Sequence, residues 1–192
     1  MSKKKGNFIN PDIVNAASIV FQRWGVNKTT MEDIACEAGK GKSTLYYYYK
    51  NKDEIFRDLA ISKLNRVVIK AKISADQKNS SREKLKYYCL AMLNELKNLL
   101  DEYPIVKEEL NNNKEFMKEI SRLICKKHGA ILLDFLQKGM DAGEFTHIQP
   151  SELNEVTNVT ITIVFGLALY LSGKDEDNFM TGIINKWITE WM

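Results

Sequence analysis

The sequence predicts an all-α protein of about nine helices, a small three-helix domain over residues 1–52 followed by a larger helical domain over 53–192. Three observations carry that reading. Ten glycines and three prolines in 192 residues punctuate the chain too sparsely for many short strands. Between those marks, apolar residues recur at spacings of three and four, the period of a helix face. A hydrophobic content of 44% beside a charged content of 28% describes a folded chain with a sizeable core.

The first helix starts at Asn10-Pro11, a capping residue followed by proline at the first helical position, and runs to Trp24 with Gly25 beyond it. Ile13, Ala16, Ala17, Val20, Phe21 and Trp24 give it one apolar face. The second spans Thr30 to Ala38, opened by Thr30 with Asp33 three residues on and stopped by Gly39. The third is short, about Lys42 to Tyr49. The fourth starts at Asn51, with Glu54 as a reciprocal cap, and continues towards Ala75.

The polar stretch 74–84 reads as a linker, and Ser80 with Glu83 starts the next helix, whose Leu85, Tyr88, Met92, Leu96, Leu99 and Tyr103 read as core. Pro104 opens a short helix to about Asn112. Residues 114–142 form a long one, with Phe116, Ile120, Leu123, Ile124, Ile131, Phe135 and Met140 on one side and Gly143 as its break. Pro150 and Ser151 start a strongly apolar helix to Leu171, and residues 176–192 form a terminal amphipathic one carrying Met180, Ile184, Trp187 and Trp191.

Charge is unevenly spread. Residues 1–60 carry ten Lys/Arg against seven Asp/Glu, and the remainder carries eighteen of each, so the net charge of +3 lies in the first third. The stretch "KSTLYYYYKNK" (42–52) contains no carboxylate, and Lys3, Lys4 and Lys5 add a basic tail. A polyanion is the natural partner. Cys36, Cys89 and Cys125 are odd in number and lack metal-ligand or disulfide spacing, which fits a reducing cytoplasm and no metal. No apolar stretch follows the N-terminal lysines as in a secretory signal. "VTITIVFGLALYL" (159–171) is shorter than the roughly 20 residues of a membrane span, so it is expected to be a buried helix and no membrane partner is expected.

Two short helices joined by "EAGKGK" have the dimensions of a helix-turn-helix. Ile34, Ala35 and Ala38 would pack the first, and Leu45 would anchor the second. Successive helical residues turn by about 100°, so Tyr46 to Tyr49 cannot all enter one core. Tyr49, four after Leu45, is the buried one. Lys42, Ser43, Thr44, Tyr46, Tyr47 and Tyr48 are left to meet a surface, and DNA offers partners to both ends of a phenol: thymine methyls and sugars for the ring, phosphate oxygens for the hydroxyl.

The stretch "TTMEDIACEAGKGKSTLYYYYKNKDEIF" (29–56), preceded by "FQRWGVNKTT", resembles the DNA-binding region of the TetR (tetracycline-repressor-like) family over about residues 10–60; "GMDAGEF" (139–145) is a weaker local likeness. The resemblance implies an N-terminal helix-turn-helix DNA-binding domain, a C-terminal effector-binding and dimerisation domain, and a ligand-responsive repressor that occupies a palindromic operator on double-stranded DNA as a homodimer. It also implies that Thr30 caps the second helix and touches a phosphate. Lys42, Ser43 and Thr44 would lie near base edges or backbone, Tyr46, Tyr47 and Tyr48 against thymine methyls or phosphates, and Lys52 on a phosphate. Two positions depart from the family pattern: Lys40, where an apolar residue is usual, and Gly41, where a serine cap is common.

The 151–171 helix is apolar on two sides, with Leu153, Val156, Val159, Thr160, Ile163, Val164, Leu167 and Leu171 on one stripe and Ile161, Phe165 and Leu169 on another. It needs two partners. A symmetry-related copy is one candidate, with Val156, Ile163, Leu167, Trp187 and Trp191 in the seam; a monomeric bundle is the other. For the small-molecule effector, Tyr88, Met92, Tyr103, Phe116, Ile120, His128, Asn158, Thr162 and Phe165 combine apolar bulk with occasional polar groups. Such residues also build cores, and His128, midway between Ile124 and Leu132, reads as a core histidine as readily as a pocket donor. With two histidines and neither a Ser/His/Asp grouping nor a glycine-rich phosphate loop, nothing supplies a nucleophile with its base, so no enzyme and no cofactor are expected. A helical module that binds protein is the alternative.

Overall fold

The computed structural model describes residues 10–174, 182–184, 186 and 187. Among them are eight α-helices: α1 (Pro11–Lys28), α2 (Met31–Glu37), α3 (Lys42–Tyr48), α4 (Lys52–Asp76), α5 (Ser81–Glu102), α6 (Pro104–Asn112), α7 (Lys114–Asp141) and α8 (Leu153–Leu171), the last entered through a 3₁₀ turn at Pro150–Glu152. The basic tail, Met180 and Trp191 lie outside the described residues.

The chain forms two compact units. One holds the residues up to Lys63 together with Glu102–Lys114; the other holds Leu64–Asp101 and the described residues from Glu115 onward. α4 therefore belongs to both, and the segment expected as a linker, 74–84, shortens to the turn 77–80 between α4 and α5.

The first unit is built around Ile13, Ala17 and Phe21 of α1, Ile34 of α2, Leu45 of α3 and Ile55 of α4, none of them exposed to solvent. Burial of an Ile, Leu or Phe side chain stabilises by about 1.5–3 kcal/mol. Trp24, expected on the α1 core face, is instead 40% exposed, with the Arg23 guanidinium over its ring. α1 breaks at Gly25, whose φ of 76° suits glycine. A Cβ there would sit 2.5 Å from Glu109 Oε1 and 2.6 Å from Ile105 Cγ2 of α6. Glu109 uses that close approach: its carboxylate accepts from Val26 N and Asn27 N, each at 2.8 Å. Tyr103 bonds Ser18 at 2.5 Å, and Glu102 accepts from Gln22 at 2.9 Å and Lys63 at 2.6 Å. α6, through Glu109, and the residues Glu102 and Tyr103 that lead into it are thereby fastened to α1.

In the second unit α5 buries Leu85, Tyr88, Cys89, Met92, Leu93, Leu96 and Leu100, and α7 buries Ile120, Ile124, His128, Leu132, Phe135, Leu136 and Gly139. "GMDAGEF" acquires a physical account here. Glu144 N bonds Gly139 O and Gly143 N bonds Met140 O, a paired closure of α7 that requires the positive φ of Gly143. Gly139 leaves room for the ring of Phe145, which a Cβ would strike. The Glu144 carboxylate then takes Ser81 N and Arg82 N at the start of α5, at 3.1 and 2.7 Å.

α8 is half-buried rather than enclosed. Leu153, Thr157, Thr160, Ile161, Val164, Phe165, Ala168 and Leu171 face inward, whereas Val159 and Tyr170 are exposed and Val156, Ile163 and Leu167 lie between. Taken with its entry turn, Pro150–Leu171 is long and apolar enough by length and composition to cross a membrane, which the shorter stretch 159–171 had not suggested. Its inward face belongs to the core of the second unit. Beyond α8, Ile184 is buried, Ile183 exposed and Trp187 half-buried.

Candidate nucleic-acid interface

α2 begins with a reciprocal cap. Thr30 Oγ1 accepts from Asp33 N at 3.2 Å and Asp33 Oδ2 accepts from Thr30 N at 2.8 Å; the same carboxylate accepts from the Thr30 hydroxyl at 2.7 Å, and that bond, followed by the one from Thr30 N, holds the Asp33 carboxyl below the usual carboxylate range. The helix closes as α7 does: Gly39 N bonds Cys36 O at 3.1 Å and Lys40 N bonds Ala35 O at 2.9 Å, with Gly39 at φ 62°. This closure turns the chain sharply enough for α3 to begin at Lys42. Gly41 caps α3 by its carbonyl alone.

Seven residues are too few to hold a helix in water by themselves. α3 is held by its two inward side chains, four apart: Leu45, fully buried, and Tyr49, whose phenol is pushed up to about 12 by burial and by the Asp58 carboxylate. The other side chains fan outward. Tyr46, Tyr47 and Tyr48 are 47, 62 and 42% exposed, and Lys42, Ser43, Thr44 and the capping Thr30 are also exposed. Three large aromatic side chains on one short helix, beside hydroxyls and an ammonium, form an open surface with donors and apolar contact area together.

Two lysines of the region are engaged by carboxylates. Lys40, at a position where an apolar residue is usual, reaches Asp12 on α1, 3.2 Å away. Lys42 pairs with Glu32 of α2; both are more than half exposed, so the pair is worth less than about 1 kcal/mol and leaves Lys42 available to a phosphate. Lys52 is different. Its ammonium is half-buried and donates to Asn27 O and Thr29 O, both at 2.8 Å, so it ties the start of α4 to the turn ahead of α2 instead of pointing out with α3. Two of the three ammonium donors are engaged in this way, and one remains for the phosphate that the resemblance implies. Asn51 Oδ1 caps α4 through Glu54 N at 3.0 Å, and Glu54 accepts from Lys50 N at 2.9 Å, one residue earlier than a reciprocal cap.

Of the residues expected in an effector pocket, Tyr88 and His128 come together: the phenol oxygen lies 2.8 Å from Nδ1. Both are fully buried, as is Met92, while Ile120 and Phe165 are nearly so and Phe116 is half-buried. Phe135, which sequence reading took only as core, lies edge-on to the Tyr88 ring at 5.7 Å. Burial pushes the His128 imidazole down to about 4 and the Tyr88 phenol up. Three expected members are elsewhere. Tyr103 packs in the first unit against Ser18. Asn158 and Thr162 stand on the exposed face of α8, where the Thr162 hydroxyl donates to Asn158 O at 2.8 Å, because successive residues at that spacing follow the outward stripe. Glu109 and Glu32 were missed by sequence reading; Glu109 meets partners more than eighty residues away, for which no local pattern exists.

Residues 13–59, the capped turn and the exposed α3 among them, match the model of the "Bacterial regulatory proteins, tetR family". The chain is 27% identical over 146 residues to the Bacillus subtilis (strain 168) "Uncharacterized HTH-type transcriptional regulator YfiR", covering 72% of this chain and 69% of that protein. It is 26% identical over 144 residues to the "Fatty acid metabolism regulator protein" of the same organism, covering 75 and 73%. In fold it is similar to the solved structure of FadR from Bacillus subtilis in complex with stearoyl-CoA, with a TM-score of 0.73 at 20% identity over 95% of this chain and 98% of that one. A tetR-family match over the helix-turn-helix, on a chain whose fold agrees with that of FadR over nearly its whole length, carries one conclusion: residues 13–59 form a tetR-family DNA-binding head, and the chain is built as a DNA-binding transcriptional regulator.

Proposed function

We propose that the chain is a repressor that occupies a palindromic operator as a homodimer and leaves it when a small molecule binds its larger domain. The observation that carries the DNA half is the outward fan of Ser43, Thr44, Tyr46, Tyr47 and Tyr48 around the buried anchors Leu45 and Tyr49. Thr44 and the tyrosines reach base edges and thymine methyls, and Thr30 and Lys42 meet phosphates. Lys52 positions the turn. The division of labour follows the helices: residues 1–52 read DNA, and 53–192 hold the effector and the dimer seam. A bacterial DNA reader of this kind works in the cytoplasm, where its operator is.

The outward stripe of α8 supports the homodimer. Val159 and Tyr170 are exposed there, flanked by half-buried Val156, Ile163 and Leu167, and half-buried Trp187 follows on a later helical turn. A self-complementary apolar stripe of this kind suits a two-fold interface, which would set two copies of α3 a helical turn of DNA apart. Trp191 is the further member of that proposed seam.

For the effector, the likeness to the fatty acid metabolism regulator and to the stearoyl-CoA complex favours a long-chain acyl thioester. Release requires only that the effector bind better to the dimer geometry that mismatches successive major grooves; a hundredfold loss of operator affinity needs about 2.7 kcal/mol of that preference. The test is operator release by stearoyl-CoA, beside the Thr44→Ala and Tyr46→Ala variants. Release by stearoyl-CoA with broadened sequence preference in both variants is expected. Preference unchanged in both would remove α3 from the reading, and an operator complex indifferent to stearoyl-CoA would remove the acyl thioester.

A further inference from the structure

His128 occupies the middle of the buried stripe of α7, four residues from Ile124 and four from Leu132, and neither it nor Tyr88 of α5 is exposed to solvent. Between them runs one hydrogen bond, from the Tyr88 hydroxyl region to Nδ1 at 2.8 Å, with the two rings edge to face at 5.7 Å. The other ring nitrogen, Nε2, is buried and has no hydrogen-bond partner.

Counting protons assigns the tautomer. If the Tyr88 hydroxyl donates to Nδ1, the imidazole proton sits on Nε2 and one donor is left unpaired. If Nδ1–H donates to the phenol oxygen, both the phenol proton and the Nε2 lone pair are left unpaired. Buried polar groups left unpaired cost free energy, so the first arrangement prevails and Nε2–H is a donor lacking an acceptor. A pair kept only for packing would be served better by two apolar side chains of the same shape, which leave nothing unpaired. Its place in a buried stripe of Ile124, Leu132 and Phe135 points to a ligand atom that completes it.

The surroundings define that atom. Tyr88, His128 and the buried Cys89 thiol beside them are all neutral at physiological pH, because burial favours their uncharged forms. An anionic oxygen entering there would lose its water and find no counter-charge among the three. An uncharged acceptor loses far less.

We propose that Tyr88 and His128 form the polar anchor of the effector site, where His128 Nε2–H donates to a carbonyl oxygen on an otherwise apolar ligand; the assignment rests on the acyl-thioester reading of the effector. Tyr88 acts through His128, fixing its tautomer and its ring plane. The thioester carbonyl is the natural occupant, since it is the one uncharged acceptor at the head of a long apolar chain.

The experiment compares stearoyl-CoA with S-octadecyl-CoA, a thioether that lacks only the carbonyl oxygen, on the full-length protein labelled with ¹⁵N-histidine. The chain contains two histidines, His128 and the exposed His147, so each imidazole is read separately. The expected result is about tenfold tighter binding of the thioester, equivalent to about 1.4 kcal/mol. The His128 Nε2 resonance should move with the thioester and stay with the thioether, and His147 should not respond. In His128→Leu the two ligands should bind alike. Equal binding of both to the native protein with His128 unmoved would overturn the anchor and leave the acyl-thioester reading in place. Binding of neither would overturn that reading and the anchor with it. The comparison on the native protein decides the matter even if the leucine variant does not fold.

Discussion

Replacing Lys52 by methionine keeps its aliphatic stem and removes the ammonium, and two readings of the residue then part. In the structure that ammonium holds Asn27 O and Thr29 O at 2.8 Å, the first on the exposed side and the second partly buried. A hydrogen bond to a charged group is worth about 1.5–3 kcal/mol when sheltered and much less in water. Counting the Thr29 bond at the lower figure and almost nothing for the Asn27 bond gives a loss of about 1.5 kcal/mol. For a chain of this length that lowers Tm by about 3–6 °C. Operator affinity should weaken because the turn ahead of α2 loosens, but the slope of log K against log salt should stay as it was. A phosphate contact predicts the reverse, an unchanged Tm and a slope shallower by about 0.9. Calorimetry with a salt series of operator binding separates them, and a shallower slope at constant Tm would refute the clamp.

Glu109→Gln should lower stability by about 1–2 kcal/mol, since Val26 N and Asn27 N lose a charged acceptor, and should weaken operator binding without altering sequence preference; urea titration and a binding isotherm check both. Gly139→Ala drives a methyl into the Phe145 ring and should cost about 1–3 kcal/mol, read as a shift in urea midpoint at constant m-value. His128 makes stability depend on pH. Unfolded, it takes a proton below about 6.5; folded, it stays neutral to about 4, so the unfolded state binds more protons between those values and stability falls as pH falls through them. The loss approaches about 1.4 kcal/mol per pH unit within the window. His128→Leu should flatten that stretch of a stability-against-pH curve, and an unchanged slope would show that the native imidazole is protonated near its ordinary pH.

Much of the reading head was legible because its signals are local. The Thr30–Asp33 cap, the glycine stop at Gly39 and the Leu45/Tyr49 spacing each lie within a few residues, and each is what the structure uses. The outward tyrosines followed from helical geometry alone. What escaped the sequence is long in range. Lys52 looks like a free cation until the chain folds back to bring the Asn27 and Thr29 carbonyls to it. Trp24 continues the apolar period of α1, yet it is the last residue before the break at Gly25 and is exposed, with the Arg23 guanidinium over its ring. In the larger domain, period separates inward from outward faces without saying which neighbour each face meets. Tyr88 and His128 are forty positions apart and were two of many aromatic and polar candidates until the fold joined them, whereas Asn158 and Thr162 suited a pocket by composition and stand in solvent.

Selection of random DNA duplexes on the purified full-length protein, followed by binding of the enriched sites over a salt series, tests the central claim most directly. The account predicts an inverted repeat bound by an even number of chains, with affinity falling steeply as salt rises and the preference blurred by Thr44→Ala or Tyr46→Ala. Recovery of no common sequence, or of sites that those two variants bind as the native protein does, would contradict it.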